Sequence, residues 1–205
     1  MARIATAARR TPDDKRTVIL DAALLLFGRY GYRRTSIDDI AREAGIAKGT
    51  VYLYFETKEA IFRALSRRVL DGVLAQARRA AALRGTLEAR LGAILGAKFG
   101  FFHDLLHGSP HASELIDSTS QLGADILAKA DAAYAQLLTK AIADAIRRGE
   151  VTPRRIGLTP DAIADLLMAG AHGVEHSAKP PLTSEAHRAK LATLVRVVVA
   201  ALAVR

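Results

Sequence analysis

An all-α fold is the expectation for this chain, and three features of its sequence set it. Half of the residues are hydrophobic, rich in alanine, leucine, isoleucine and valine with few aromatics, which suits closely packed helices. Apolar residues recur at spacings of three and four, and no long stretch alternates with the two-residue period of a half-buried strand. Capping residues recur where such stretches begin, and glycine where they stop. About nine helices are expected, the second and third joined by a tight turn.

The first helix starts at Thr11-Pro12-Asp13-Asp14, with threonine as cap, proline in the first turn and acids beside it. Ile19, Ala23, Leu26, Phe27 and Tyr30 form its apolar stripe, and Gly31 ends it. Ser36 caps a second helix, with Asp39 completing a capping box, and Gly45 is placed to take the left-handed conformation that turns the chain. A short third helix spans about 48–55. Thr57 caps a long fourth helix running towards Arg84-Gly85, whose arginines 63, 67, 68, 78 and 79 belong on solvated faces. Thr86 opens a fifth, to about Leu106. The break at 107–110 precedes a short helix over 111–118 and a long one over 121–148, stopped by Gly149. Thr159-Pro160-Asp161 opens the eighth, to about Ser177. Lys179-Pro180-Pro181 breaks it, and Ser184-Glu185 starts the last.

Charge is spread unevenly. Residues 1–90 carry 18 of the 30 Lys/Arg and 10 of the 21 Asp/Glu, so nearly all of the net +9 sits there. A polyanionic partner for that end is one reading, and a solvated basic face the other. The first ten residues lack the apolar run of a secretory signal and read as part of a basic arm, residues 1–12. The most apolar run, Leu191–Val204, contains Arg196 and is too short to span a bilayer. No membrane association is expected. With no cysteine, disulfides and thiolate metal sites are excluded, and a cytoplasmic location is the expectation.

Residues 36–55 carry the chemistry. At about 100° per residue, Val51 and Phe55 share one face of the third helix, while Gly49, Thr50 and Leu53 point the opposite way. Tyr52 and Tyr54 flank them, and Lys48 stands at the N-terminal end. That face suits a major groove: short side chains approach base edges, and tyrosine hydroxyls and lysine reach phosphates. Gly49 lets the backbone come close, at roughly 1 kcal/mol of helix stability relative to alanine. Ser36, heading the second helix, and Lys58, at the start of the fourth, can reach the phosphate strand. A helix–turn–helix built only for packing gives the same spacing, and the residues alone leave that alternative open.

The stretch ILDAALLLFGRYGYRRTSIDDIAREAGIAKGTVYLYFETKEAIF, about a quarter of the chain, closely resembles the N-terminal domain of the tetracycline-repressor (TetR) family of bacterial transcription regulators. The resemblance implies a three-helix DNA-binding head over 13–60, a helical ligand-binding and dimerisation body over 61–205, and a homodimer formed through the last two helices. It implies a regulator, most often a repressor, that leaves a palindromic double-stranded operator when a small-molecule effector binds. The family's DNA-contacting positions fall on Ser36, Lys48, Gly49, Thr50, Tyr52, Tyr54 and Lys58. Leu53 departs from the aromatic or polar residue of many relatives and leaves only apolar contact with a thymine methyl.

The body is less legible. Phe99, Phe102, His103, Leu106, Leu137 and Met168 are candidates to line a mostly apolar effector site, although such spacing also describes ordinary core. Gly170, His172, Gly173 and His176, with Leu191, Leu194, Val195, Val198 and Leu202, are the candidate dimer face; a monomer hiding both helices in its own core is the alternative. His103, His107 and His111 recur at fours, but Gly108 and Pro110 interrupt the helix, so no metal and no cofactor is expected. A non-specific architectural DNA-binding protein and an all-helical enzyme are the competing functions. The second lacks a nucleophile–base–acid set and a phosphate-binding glycine loop.

Overall fold

The computed structural model describes residues 12–106, 109–153, 156–176 and 182–203, with the side chains of 12, 13, 106, 112, 113 and 176 excepted. The basic arm, the Thr11 cap, His107 and the break at 179–181 therefore lie outside the described residues. The α-helices are α1 (Pro12–Tyr30), α2 (Ile37–Glu43), α3 (Lys48–Tyr52), α4 (Lys58–Ala81), α5 (Leu87–Leu95), α6 (Phe101–Leu106), α7 (Ala112–Leu122), α8 (Ala124–Arg147), α9 (Pro160–His176) and α10 (Ser184–Ala201). A π-helical turn, Gly96–Gly100, joins α5 to α6 without a break, so the ten segments make nine rods. The fold is all-α. Among the described residues the only extended pairing is an isolated bridge between Val151 and Ala203, where the Thr152 N–H donates to the Leu202 carbonyl at 2.8 Å.

Capping chemistry sets the helix starts. Ser36 and Asp39 form the reciprocal capping box of α2, and Thr57, Thr86 and Thr183 accept N–H bonds at the starts of α4, α5 and α10. α10 starts at Ser184 as expected, with Thr183 as its cap. Gly31, Gly45 and Gly149 all take positive φ where α1, α2 and α8 end. α4 stops at Ala81, short of Arg84, and α7 runs on to Leu122, past Ser118.

Two cores result. In the head, Ile19, Ala23, Phe27, Ile40, Val51 and Phe55 pack with Ile61, Phe62 and Leu65 from the first two turns of α4. In the body, Leu91, Ile94, Phe99, Tyr134, Leu138, Ile142, Ile163, Leu167, Leu191 and Val195 pack with Val73, Leu74 and Ala77 further along α4. α4 is therefore shared between the two. Tyr30, expected on the buried stripe, is 45% exposed. Tyr32, past the Gly31 turn, takes that place instead, its ring 5.4 Å from Phe27 and 5.0 Å from Phe62.

Segment 109–125 braces the head against the body. Ser109 Oγ donates to the Gly28 carbonyl at 3.0 Å, and the Glu114 carboxylate accepts the Arg33 N–H at 2.5 Å. Arg63 on α4 forks onto Asp125 through two 2.9 Å bonds and also donates to the Leu122 carbonyl. That fork raises the Arg63 pKa and lowers that of Asp125. Gly31 is required twice over, because its φ is +85° and a Cβ would run into the Glu114 carboxylate. Gly31→Ala should destabilise the protein by at least ~1–2 kcal/mol from the left-handed backbone alone. Urea unfolding checks this, and an unchanged midpoint would contradict it.

Candidate nucleic-acid interface

The recognition unit hangs on a reciprocal capping box and a glycine turn. Ser36 Oγ and N both donate to Asp39 Oδ2, at 2.6 and 3.0 Å, and Ser36 Oγ accepts the Asp39 N–H at 3.1 Å. These Ser36 bonds, with Arg42 beside them, hold the Asp39 carboxyl below its usual range. Gly45 at φ +63° then reverses the chain into α3.

α3 is shorter than expected, Lys48–Tyr52, but the chain stays coiled beyond it: Leu53 caps the helix with right-handed backbone, and the Phe55 N–H still bonds the Val51 carbonyl at 2.9 Å. Val51 and Phe55 are buried against the head, so the opposite side of the turn is fixed outward. Gly49 is exposed with open space around it, Thr50 is half-buried, and Leu53 is 82% exposed. Tyr52 is exposed on one flank, whereas Tyr54 is half-buried against the head core on the other. Lys48 is half-exposed and pairs with Asp38 at 2.9 Å, which raises its pKa and keeps it charged. An outward glycine, a threonine and a leucine with flanking phenols and an ammonium present a flat surface able to enter a groove.

Lys58 is used differently. Its ammonium donates to the carbonyls of Tyr32 at 2.8 Å and Thr35 at 2.9 Å, with Arg33 at 3.3 Å, and lies over the Tyr32 ring at 4.4 Å. Burial pushes its pKa down. In this geometry it closes the α1–α2 turn from inside the head, because the loop carbonyls have no helical N–H to accept.

The tetR family of bacterial regulatory proteins matches residues 19–65, the span from the first buried turn of α1 to the last head residue of α4. The HTH-type transcriptional repressor KstR2 of Rhodococcus jostii is 39% identical over 79 residues, covering 37% of this chain and 39% of that protein. A crystal structure of a putative TetR-family regulator from Rhodococcus sp. superposes with a TM-score of 0.70 at 23% identity, over 90% of this chain and 98% of that one. The structure of SmeT, repressor of the Stenotrophomonas maltophilia multidrug efflux pump SmeDEF, gives 0.67 at 21% identity, over 96% and 92%. The head, residues 19–65, is that of the TetR family. Its sequence matches span 20–39% of the lengths of the curated relatives, so that kinship is one of the head, while the body shares the fold.

In the body, the residues expected around an effector come together only partly. Phe99 and Met168 are buried in the main core, and Phe102 and Leu137 pack against it. The Leu106 side chain lies outside the described residues. His103 is buried and stacks on His187 of α10, ring centroids 4.1 Å apart and planes 5° from parallel. No group of three or more His, Asp or Glu among the described residues is arranged to hold a metal. The sequence reading missed the polar groups inside this core: Lys98, paired with Asp131, and Tyr134, whose hydroxyl is buried without a partner. The signal was available as a single lysine inside the apolar run Leu95–Phe102.

Burial, then the neighbouring His103, holds the His187 pKa below the ordinary histidine value of 6.5, with Asp104 opposing and Arg188 adding to the effect. Above pH 6.5 the ring is neutral in both folded and unfolded chains and contributes nothing. As pH falls through 6.5 the unfolded chain takes up a proton that the folded chain resists, so stability is lost downward from there. Thermal melting should therefore fall between neutral and mildly acidic pH, and His187→Phe should flatten that slope. An equal slope in the variant would contradict the assignment.

The last two helices pack on each other within the protomer, and the structure consumes Leu191, Val195 and Leu202 there: all three are buried in its own core. α10 packs against α9 and α5, and Leu191 and Val195 lie on its face opposite Val197, with Leu202 just past its end. Leu194 sits directly over Gly170, where a Cβ would meet it at 2.9 Å, and Val198 also packs inward. His172 is exposed yet edges onto Phe99 at 4.9 Å. The His176 side chain lies outside the described residues. Left outward are Leu166 (55% exposed), Ala169 and Gly173 on α9, and Ala189, Thr193 and Val197 (62% exposed) on α10. No described helix is long and apolar enough to cross a membrane.

Proposed function

We propose that this TetR-family protein is a sequence-specific transcriptional repressor, binding a palindromic operator as a homodimer and released by a small molecule with an apolar body. The observation that carries the DNA half is the split of α3 and its following turn. Val51 and Phe55 are locked into the head, so Gly49 and Leu53 stand exposed, with the half-buried Thr50 between them on the same outward side. Two such helices about 34 Å apart read successive major grooves, which requires a two-fold dimer. The outward stripes Leu166–Ala169–Gly173 and Ala189–Thr193–Val197 carry small and apolar residues with one threonine, which suits the close helix contact of a four-helix dimer. α4 connects the recognition unit to the body core, and the Arg63–Asp125 fork ties its first turns to α8, so a change in α8 is transmitted to the spacing of the heads. A ligand moves that equilibrium only by its differential affinity for the two spacings.

A competition assay tests the specific against the architectural reading. Binding to selected DNA should survive excess random DNA, and Lys48→Ala and Thr50→Ala should lose discrimination as well as affinity. Equal losses on every sequence would leave only a non-specific DNA-binding protein.

A further inference from the structure

The body core holds polar groups that packing does not require. Lys98 lies in the π turn with its side chain 4% exposed, pairs with Asp131 of α8, and has its ammonium 4.8 Å from the Phe99 ring centre and 5.4 Å from that of Tyr134. The π turn makes this possible: its widened backbone points Lys98, Phe99 and Gly100 inward together. Beside them Tyr134 is wholly buried, with its hydroxyl unpartnered. Lysine is among the side chains least often buried, and methionine and phenylalanine would fill the same two places without polar atoms.

We propose that Lys98 and Tyr134 are the anchor for the acidic end of the effector, an organic carboxylate with an apolar body; this rests on the ligand-responsive reading above. An ammonium has three N–H donors and Asp131 takes one; the phenol hydroxyl adds another. Donors converging in a buried site call for an acceptor, and the positive charge selects an anion over a neutral group and repels a cation. Asp131, a third exposed, occupies the anion's place and can turn to water when a ligand carboxylate replaces it.

The apolar body has a place next door. A cleft of about 420 Å³ lies between α4 and α8, its lining the apolar Leu70, Leu74, Ile126 and Ala130 together with the charged Arg67, Asp71 and Lys129. Ala130 stands one turn before Tyr134 on α8, and Phe102 packs against both the Leu70–Ile126–Ala130 cluster and the main core. Phe102 is thus the side chain between cleft and anchor. Exchange of Asp131 for the ligand unties α8 from the π turn, on the same helix whose Asp125 holds Arg63.

The test is calorimetric titration of the full-length protein with octanoate and phenylbutanoate, each against its neutral primary alcohol. At least one acid should bind about tenfold or more tightly than its alcohol, a difference of ~1.4 kcal/mol. Lys98→Met should erase that preference without weakening the alcohol, and Tyr134→Phe should reduce it several-fold. Asp131→Asn removes the internal competitor and should tighten the acid alone, which keeps the proposal testable if Lys98→Met does not fold. Failure of both acids to bind, equal affinity of acid and alcohol, or a preference that survives Lys98→Met would overturn it. Operator binding measured on the same sample separates the two readings: intact specific DNA binding without acid preference refutes the anchor alone, and acid preference without specific DNA binding refutes the repressor alone.

Discussion

Gly49→Leu should leave the protein folded and remove specific operator binding. Nothing lies within 4 Å of a Cβ at this position, so the new side chain meets only solvent, and replacing glycine in a helix recovers up to ~1 kcal/mol. On DNA the same side chain stands between the α3 backbone and the base edges. Affinity should drop towards the non-specific level, a loss on the order of 10³-fold or more. Fluorescence anisotropy at fixed salt, beside a melting curve, reads both quantities. A Gly49→Leu protein that melts at or above wild type but binds operator normally would mean that this face does not enter the groove.

Leu166→Glu combined with Val197→Glu should convert the dimer to a folded monomer. Both side chains are mostly exposed in the protomer, so the protomer's own core is untouched, whereas a two-fold contact would bring four carboxylates into an apolar seam. Losing the second, linked head should weaken operator binding by ~10²–10⁴-fold, the usual gain from a tethered second site. Sedimentation equilibrium gives the mass, and anisotropy the affinity. If the double variant sediments as a dimer, the interface is elsewhere.

The head was legible because its signals are local. Ser36–Asp39, Thr57 and Gly45 act within four residues of themselves, and the period of α3 alone puts Val51 and Phe55 inside. Tyr30 was misplaced by the same local logic, and the partners of Lys58 within the head were not foreseen. Periodicity continued the α1 stripe through Tyr30, but the helix ends there and Tyr32 reaches the site after the turn. Lys58 looked like a free cation beside the recognition unit, while three loop carbonyls more than twenty residues away in sequence claim it.

The body was less legible for the same reason. Lys98 is directed inward by a π turn, whose extra residue breaks the 3.6-residue period from which a helix face is read. Glu114 and Asp125 find Arg33 and Arg63 across 81 and 62 residues, with no local spacing to announce either contact. The apolar pattern of α10 marked Leu191, Val195 and Leu202 as contact residues without telling which neighbour they touch, and the protomer's own helices took them.

The central claim is that Ser36–Phe55 reads a specific, two-fold DNA sequence. Selection of fragments of the source genome bound by the purified protein tests it most directly. The account predicts enrichment of one inverted repeat whose half-sites lie about one helical turn apart, ~10 bp centre to centre, and loss of that enrichment with Gly49→Leu. Recovery of fragments with no shared repeat, in proportions that Gly49→Leu leaves unchanged, would contradict it.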